Sequence, residues 1–324
     1  MIDMPSDSDI ATTSGAIALA NLEAQIDSLE VRATAGRLTI AGRAGLVDLL
    51  LLRGHVLGRI ADYERAAALA EQLVRDAPQD NAAFLARARA RATLHRFADA
   101  LADLDIAERL GAERDTLDDE RAAIFQALGR SKDALVLRRK AVGERADFTT
   151  LGALAGLHAK RGQVAEADLL FALGRRRYQG VSPFPVAMLD FQRGVMWMEQ
   201  GEWEAAHTWF EAACTRVPAY VPALGHLAEV EAAQGQHDAA IARLRPLAAS
   251  SDDPEYAGLL ASLLNEAGQT DEARVWHDRA AARYDELVEY HAAAFADHAA
   301  EFWLTTNRQD CIKVGSARGL APRK

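Results

Sequence analysis

His291, Asp297, His298 and Glu301 are the side chains whose types and spacing come nearest to metal or acid–base chemistry. On one helix His291 and His298 would stand two turns apart, about 10 Å by helical rise. Zinc ligands of this kind lie within about 2.0–2.2 Å of the ion, so the two cannot share one. His298 and Glu301 could share a helix face, but would need further donors from elsewhere. The chain has no GxSxG elbow, no HExxH pair, no phosphate-binding glycine loop ending in Lys-Ser/Thr and no paired CxxC. Cys214 and Cys311 are too few for a disulfide framework and lack metal-ligand spacing. The expectation is a protein without catalytic residues, cofactor or metal.

The bulk properties agree with that expectation. Of 324 residues half are hydrophobic, yet only 6% are aromatic, which suits close-packed helices better than a bulky sheet core. A net charge of −10 argues against nucleic acid as a partner, because a phosphate backbone demands a basic face. The first nine residues hold three aspartates and no basic residue, unlike the positive start of a secretory signal. The largely apolar stretch 46–52 is interrupted by Arg53, His55 and Arg59 well short of a membrane span, so no membrane insertion is expected. A reducing, cytoplasmic setting follows.

The elements that would position any site repeat along the chain. Alanine anchors fall at Ala66, Ala100, Ala134, Ala167, Ala206, Ala240 and Ala273, at intervals of 34, 34, 33, 39, 34 and 33 residues. About twelve positions before each anchor stands another small residue: Gly54, Ala88, Ala122, Ala155, Gly194, Ala228 and Ala261. Glycines mark the turn between them at Gly129, Gly162, Gly201, Gly235 and Gly268. Each unit therefore reads as two helices joined by a turn, with small residues where the two backbones approach closely. Tyr63, Phe97 and Trp203 wedge between neighbouring hairpins. One hairpin cannot bury its apolar face alone, so stability must come from stacking.

These small, aromatic and alanine positions, with the closing prolines Pro78 and Pro218, resemble the tetratricopeptide repeat, in its bacterial form, over residues 44–284. Ser131, Val164, His237 and Thr270 depart from the pattern at the wedge position, and Pro246 should kink or end a second helix. The resemblance implies an all-α fold, a right-handed superhelical solenoid of tandem helix-turn-helix repeats. The expected organisation is a disordered segment 1–14, a capping helical segment 15–43, repeats 1–4 over 44–178, and a loop and possible hinge at 179–186. Repeats 5–7 follow over 187–283, then a helix 284–304 and a disordered tail 305–324. The 39-residue interval and the run containing Gly180, Pro183 and Pro185 carry the loop.

Ligands of proteins similar to this one lie in a concave groove lined by the first helices of the repeats. Carried onto this sequence, the groove positions are Leu51, His55, Arg59, Leu85 and Arg89 at a basic end. Met188, Phe191 and Val195, edged by Glu199, form an apolar middle. Glu229, Glu255 and Glu266 make an acidic end. The resemblance implies a noncatalytic scaffold or adaptor that binds a protein or peptide segment. The lysine and asparagine clamp that holds chaperone tails in some related domains is absent, since Leu51, His55 and Ala86 stand in its place. The alternatives are self-association through the apolar helix 284–304, and service as an accessory subunit of an enzyme encoded elsewhere.

Overall fold

The computed structural model describes residues 10–318, with side chains to residue 304. Residues 1–9 and 319–324 of the two segments expected to be disordered lie outside the described residues. Every regular element among the described residues is an α-helix. Helix α1 (Gly15–Thr34) leads into α2 (Ile40–Leu57) and α3 (Ile60–Asp76), the first of seven hairpins. The next are α4 (Asn81–Thr93) with α5 (Phe97–Arg109), α6 (Arg114–Ala127) with α7 (Ser131–Glu144), and α8 (Phe148–Lys160) with α9 (Val164–Arg176). Then come α10 (Phe184–Glu199) with α11 (Trp203–Arg216), α12 (Val221–Ala233) with α13 (His237–Ser250), and α14 (Pro254–Glu266) with α15 (Thr270–Arg318). Backbone dihedrals leave the helical range inside α15 at His291.

The anchor alanines explain how the hairpins close. Ala66, Ala100, Ala134, Ala167, Ala206 and Ala240 are completely buried, and Ala273 nearly so. Opposite them the first helix must also be small. A β-carbon on Gly194 would stand 2.6 Å from the ring of Phe210, which is itself fully buried. The turn glycines Gly129, Gly162, Gly201, Gly235 and Gly268 all have φ between 71° and 80°, backbone that costs a side-chain-bearing residue about 1–2 kcal/mol. In the second hairpin His95 adopts the same left-handed conformation, at φ 55°, with its ring stacked on Phe97. Pro246 does not end α13, which continues to Ser250. It lies within the last turn and a half, so losing its N–H disturbs little of the helix.

Residues 10–14 run alongside the loop before α10. Thr13 N–H donates to the carbonyl of Val181 at 2.8 Å, and Arg216 donates to Thr12 Oγ1 at 3.0 Å. Within that loop the Tyr178 hydroxyl donates to the Ser182 carbonyl, and its ring meets Phe148 edge-on. The start of α1 then lies directly on the corner between α11 and α12. A β-carbon on Gly15 would fall 2.4 Å from the Arg216 carbonyl oxygen.

The array does not stay open. It bends until its first hairpin touches its sixth and seventh. Helix α2 packs on α12, and one continuous core joins Leu50, Val56 and Phe84 to Phe184, Val217, Tyr220 and Ala223. At the seam, Asp252 accepts hydrogen bonds from the backbone N–H groups of Ile60 (2.6 Å) and Ala61 (2.8 Å), the first two residues of α3. Asp253 beside it caps its own helix, accepting from Glu255 N–H at 3.0 Å. Ser251 donates its hydroxyl to the carbonyl of Gly58 at 2.5 Å. Gly58 has φ +57°, and a side chain there would meet Val221 and Ser251 within 2.9 Å. Helix α15 adds Arg283, 3.5 Å from Asp252 and 3.8 Å from Glu64, and His291, 3.2 Å from Glu64.

Replacing Gly194 by Ala forces a methyl group against Phe210 in a site with no room to yield. The overpacking should outweigh the gain in helix propensity and lower stability by about 1–2 kcal/mol. Urea denaturation of the Gly194→Ala variant checks this, and a midpoint equal to or above that of the parent chain contradicts the packing described.

Candidate functional site

The residues expected along a concave groove fall into two sets. Most of them meet at the seam or in the core beside it. Leu51, Leu85, Met188 and Phe191 are half-buried and lie against the large core, and Val195 joins Phe210 and Leu227 in an adjoining cluster. Phe191 stacks on His226, with ring centroids 5.3 Å apart and planes 3° from parallel, and meets Tyr220 edge-on at 5.5 Å. Tyr220 OH and His55 Nε2 are hydrogen-bonded at 2.8 Å, and His226 Nδ1 lies 3.1 Å from Glu229. His55, Phe191 and Glu229 thus belong to one chain of contacts running from α2 through α12.

The other set is dispersed and ion-paired. Arg89 bridges Asp48 and Glu120 at 2.9 and 2.5 Å. Glu199 pairs with Lys160 at 2.5 Å, and Glu266 lies 4.0 Å from His237. Arg59 is exposed at the rim of an apolar recess of about 390 Å³ that includes Leu57, Val221, Leu224 and Pro246. The C-terminal quartet is likewise spread out: His291 faces Glu64 and Asp297 is exposed. Among the described residues no three His, Cys, Asp or Glu side chains are placed to hold a metal ion.

Two recesses have no counterpart in those expectations. The larger, about 560 Å³, lies between α6, α7 and the start of α8 and reaches Arg89 on α4. Its walls carry Glu113, Asp115, Asp118, Asp119, Glu120 and Glu144 against Arg138, Lys140 and Arg145. Arg138 pairs with Asp119, Lys140 with Asp118 at 2.7 Å and more loosely with Glu144 at 3.9 Å, and Arg89 holds Glu120, so Glu113 and Asp115 are the acidic groups left facing solvent. The first turn of α6 and the last of α7 bring these charges together, which only the fold of the third hairpin can do.

The second recess, about 200 Å³, lies at the seam itself. His55, Tyr63, His226, Asp253, Glu255 and Tyr256 line it, from α2, α3, α12 and the start of α14. Burial disfavours charge here, as it does wherever water is excluded. It pulls His55 down to about 4 and pushes Glu255 up to about 7, with the neighbouring Asp253 adding to the latter. Asp253 is raised by burial as well. Burial also acts to lower His226, but its hydrogen bond to Glu229 and the charges of Glu229 and Glu255 prevail and leave it raised. A run of two aspartates before Pro254 is the one sequence signal of this arrangement, since a helix start needs a single cap.

Comparison with known proteins places this geometry. Residues 198–263 match the family model described as Tetratricopeptide repeat. No curated protein sequence matches the chain. Among solved structures, human IFIT1, as a dimer with m7Gppp-AAAA, is similar over 90% of this chain and 71% of its own, with 16% identity and a TM-score of 0.59. The anaphase-promoting-complex assembly Cut9–Hcn1 is similar over 88% of this chain at 14% identity and a TM-score of 0.55. This chain spans about half of that one, 52%. PilW, a type IV pilus biogenesis factor, is similar over 65% of this chain and 93% of its own, with 15% identity and a TM-score of 0.50. At these identities the likeness is one of fold.

The raised Glu255 gives a pH dependence with a definite sign. Its carboxyl holds a proton in the folded chain up to about pH 7, whereas the unfolded chain releases it near the ordinary value of 4.5. Folding stability from this group is therefore greatest below the unfolded value and is lost as pH rises through the folded one. A Glu255→Gln variant should match the parent near pH 4.5 and exceed it by about 3 kcal/mol above pH 7. Thermal melts of both chains from pH 4.5 to 8 check this, and a gap that does not widen with pH contradicts it.

Proposed function

We propose that this chain, a tetratricopeptide-repeat solenoid, is a noncatalytic scaffold that binds a protein segment in the recess between α6, α7 and α8. The observation that supports it is a roomy, charged recess on an otherwise tightly stacked array, outside the seam. Long apolar anchors are not what its walls offer. Acidic side chains there outnumber basic ones, and Asp115 and Glu144 are exposed. The segment that fits is polar and carries basic residues, steered in by the field of the acidic rim. IFIT1 was determined with m7Gppp-AAAA, but a net charge of −10 and these acidic walls favour a protein over a phosphate-bearing ligand. Among the described residues no helix is long and apolar enough to cross a membrane, and the reading places the protein in the cytoplasm.

A second reading rests on α15. Tyr290 is 68% exposed, Leu304 62% and Trp303 37%, on a helix far longer than the other elements. Phe302 turns inward against Tyr284 and His277. These outward side chains would support self-association through 284–304, which sedimentation velocity over a range of concentrations would reveal.

Affinity capture from native extract separates the two. The intact chain is run beside an Asp115→Lys/Glu144→Lys variant, whose substitutions lie at exposed positions and leave the core untouched. The expected outcome is at least one protein retained by the parent and reduced more than tenfold by the variant. Equal retention by both chains excludes the recess as the binding surface.

A further inference from the structure

The recess at the seam has a chemistry of its own. About 200 Å³ holds several waters or one small organic group. Two of its walls are tyrosine rings. Tyr256 is only 7% exposed, and its ring is clamped on Gly225 and Gly58, where a β-carbon would approach it to 2.5 and 3.3 Å. The hydroxyl of Tyr256 nevertheless makes no hydrogen bond to any described residue, although it lines the recess. Its ring is buried, but its oxygen is not among the sealed-off polar atoms of the described residues, so a partner can reach it through the recess.

The carboxyl of Glu255 lines the same recess without a hydrogen-bonded or ion-paired partner among the described residues. One oxygen of Asp253 is used at the helix start, as described above. The field around Glu255 is set by Asp253, Glu229 and Glu301 against His226, while His298 and Arg283 act on Asp253 and Asp252 adds to the negative side. Burial is the main reason both carboxyls are raised, and around Glu255 the negative neighbours add to it. A cation would reverse this. The donors are too dispersed for a metal ion, whereas carboxylates beside aromatic faces suit an organic cation, through charge-assisted hydrogen bonds and the ring quadrupole together.

We propose that the seam recess is a receptor for one organic cationic group, an ammonium or guanidinium on a short alkyl chain, held by Glu255 and Asp253 and walled by Tyr63 and Tyr256. This goes beyond the scaffold reading and does not depend on it. A free small amine and a lysine or arginine side chain present the same chemistry. Because the walls come from both the first hairpin and the sixth and seventh, occupancy would also tighten the seam.

The test is calorimetric titration of the full chain at pH 8 with n-butylammonium, with n-butanol as its neutral counterpart, and with a short capped peptide containing one lysine. Parent, Glu255→Gln and Tyr256→Phe chains are compared, both substitutions keeping side-chain shape. NMR signals of the His55 and His226 rings report where the probe sits. The expected result is saturable binding of butylammonium but not butanol, shifts at both histidines, and a loss of at least tenfold in Glu255→Gln. Tyr256→Phe should lose several-fold. Tighter binding of the peptide assigns the group to a side chain of a partner, and binding of the amine alone assigns it to a small metabolite-sized ligand; either supports the receptor. Absence of saturable amine binding, or equal binding by Glu255→Gln, overturns it.

Discussion

The architecture depends on one closure, of the first hairpin against the sixth and seventh, and a single carboxylate marks it. A helix start leaves backbone N–H groups without partners, and α3 obtains its partner from Asp252, 192 residues further along the chain than Ile60. Stacked hairpins otherwise feel only their neighbours, so an array of seven would be a spring with free ends. The contact of Asp252 with α3, with Ser251 on Gly58 and α2 on α12, converts that spring into a closed body. It also converts faces that would have been groove into interior. His55 and Phe191 lie where an open solenoid would present them to a ligand, and here they are occupied with Tyr220 and His226.

Closure concentrates polar groups that a repeat array normally keeps apart. Units one, six and seven each bring side chains suited to a solvated face, and their meeting encloses two histidines, two carboxyls and two tyrosines around a small space. The pKa values of His55, Asp253 and Glu255 shift chiefly because water is displaced from charged groups, whereas His226 is raised by Glu229 and Glu255 against its burial. Such an arrangement costs stability in the free chain, as functional sites commonly do. Away from the seam the array keeps a recess at its third hairpin, where ion pairs between α6 and α7 leave acidic residues over.

Much of the fold was legible in the residues. Seven alanine anchors and their small partner residues pointed to seven hairpins, because close backbone approach admits few side chains, and Gly194 against Phe210 shows the reason in atomic detail. The turn glycines marked the left-handed residues, though His95 takes that role in the second unit without any sign in the sequence. Pro246 suggested a helix break that its place near the helix end made harmless. The site was far less legible. Repeat spacing is local information, whereas the seam joins residues nearly 200 positions apart, and its position depends on the summed rotation of six steps. Glu255 stood among the groove positions as an ordinary acidic residue. Only the return of α2 and α3 shows that it is enclosed, beside Tyr256 and His55.

The most direct test of closure is amide hydrogen exchange at Ile60 and Ala61. These two N–H groups have no partner within α3 and bond to Asp252 alone. The account predicts that both are protected in the parent chain and that Asp252→Ala removes their protection while the amides at the centre of α3 remain slow. Rapid exchange at Ile60 and Ala61 in the parent, unchanged by the substitution, would mean that the first hairpin stands free of the sixth and seventh.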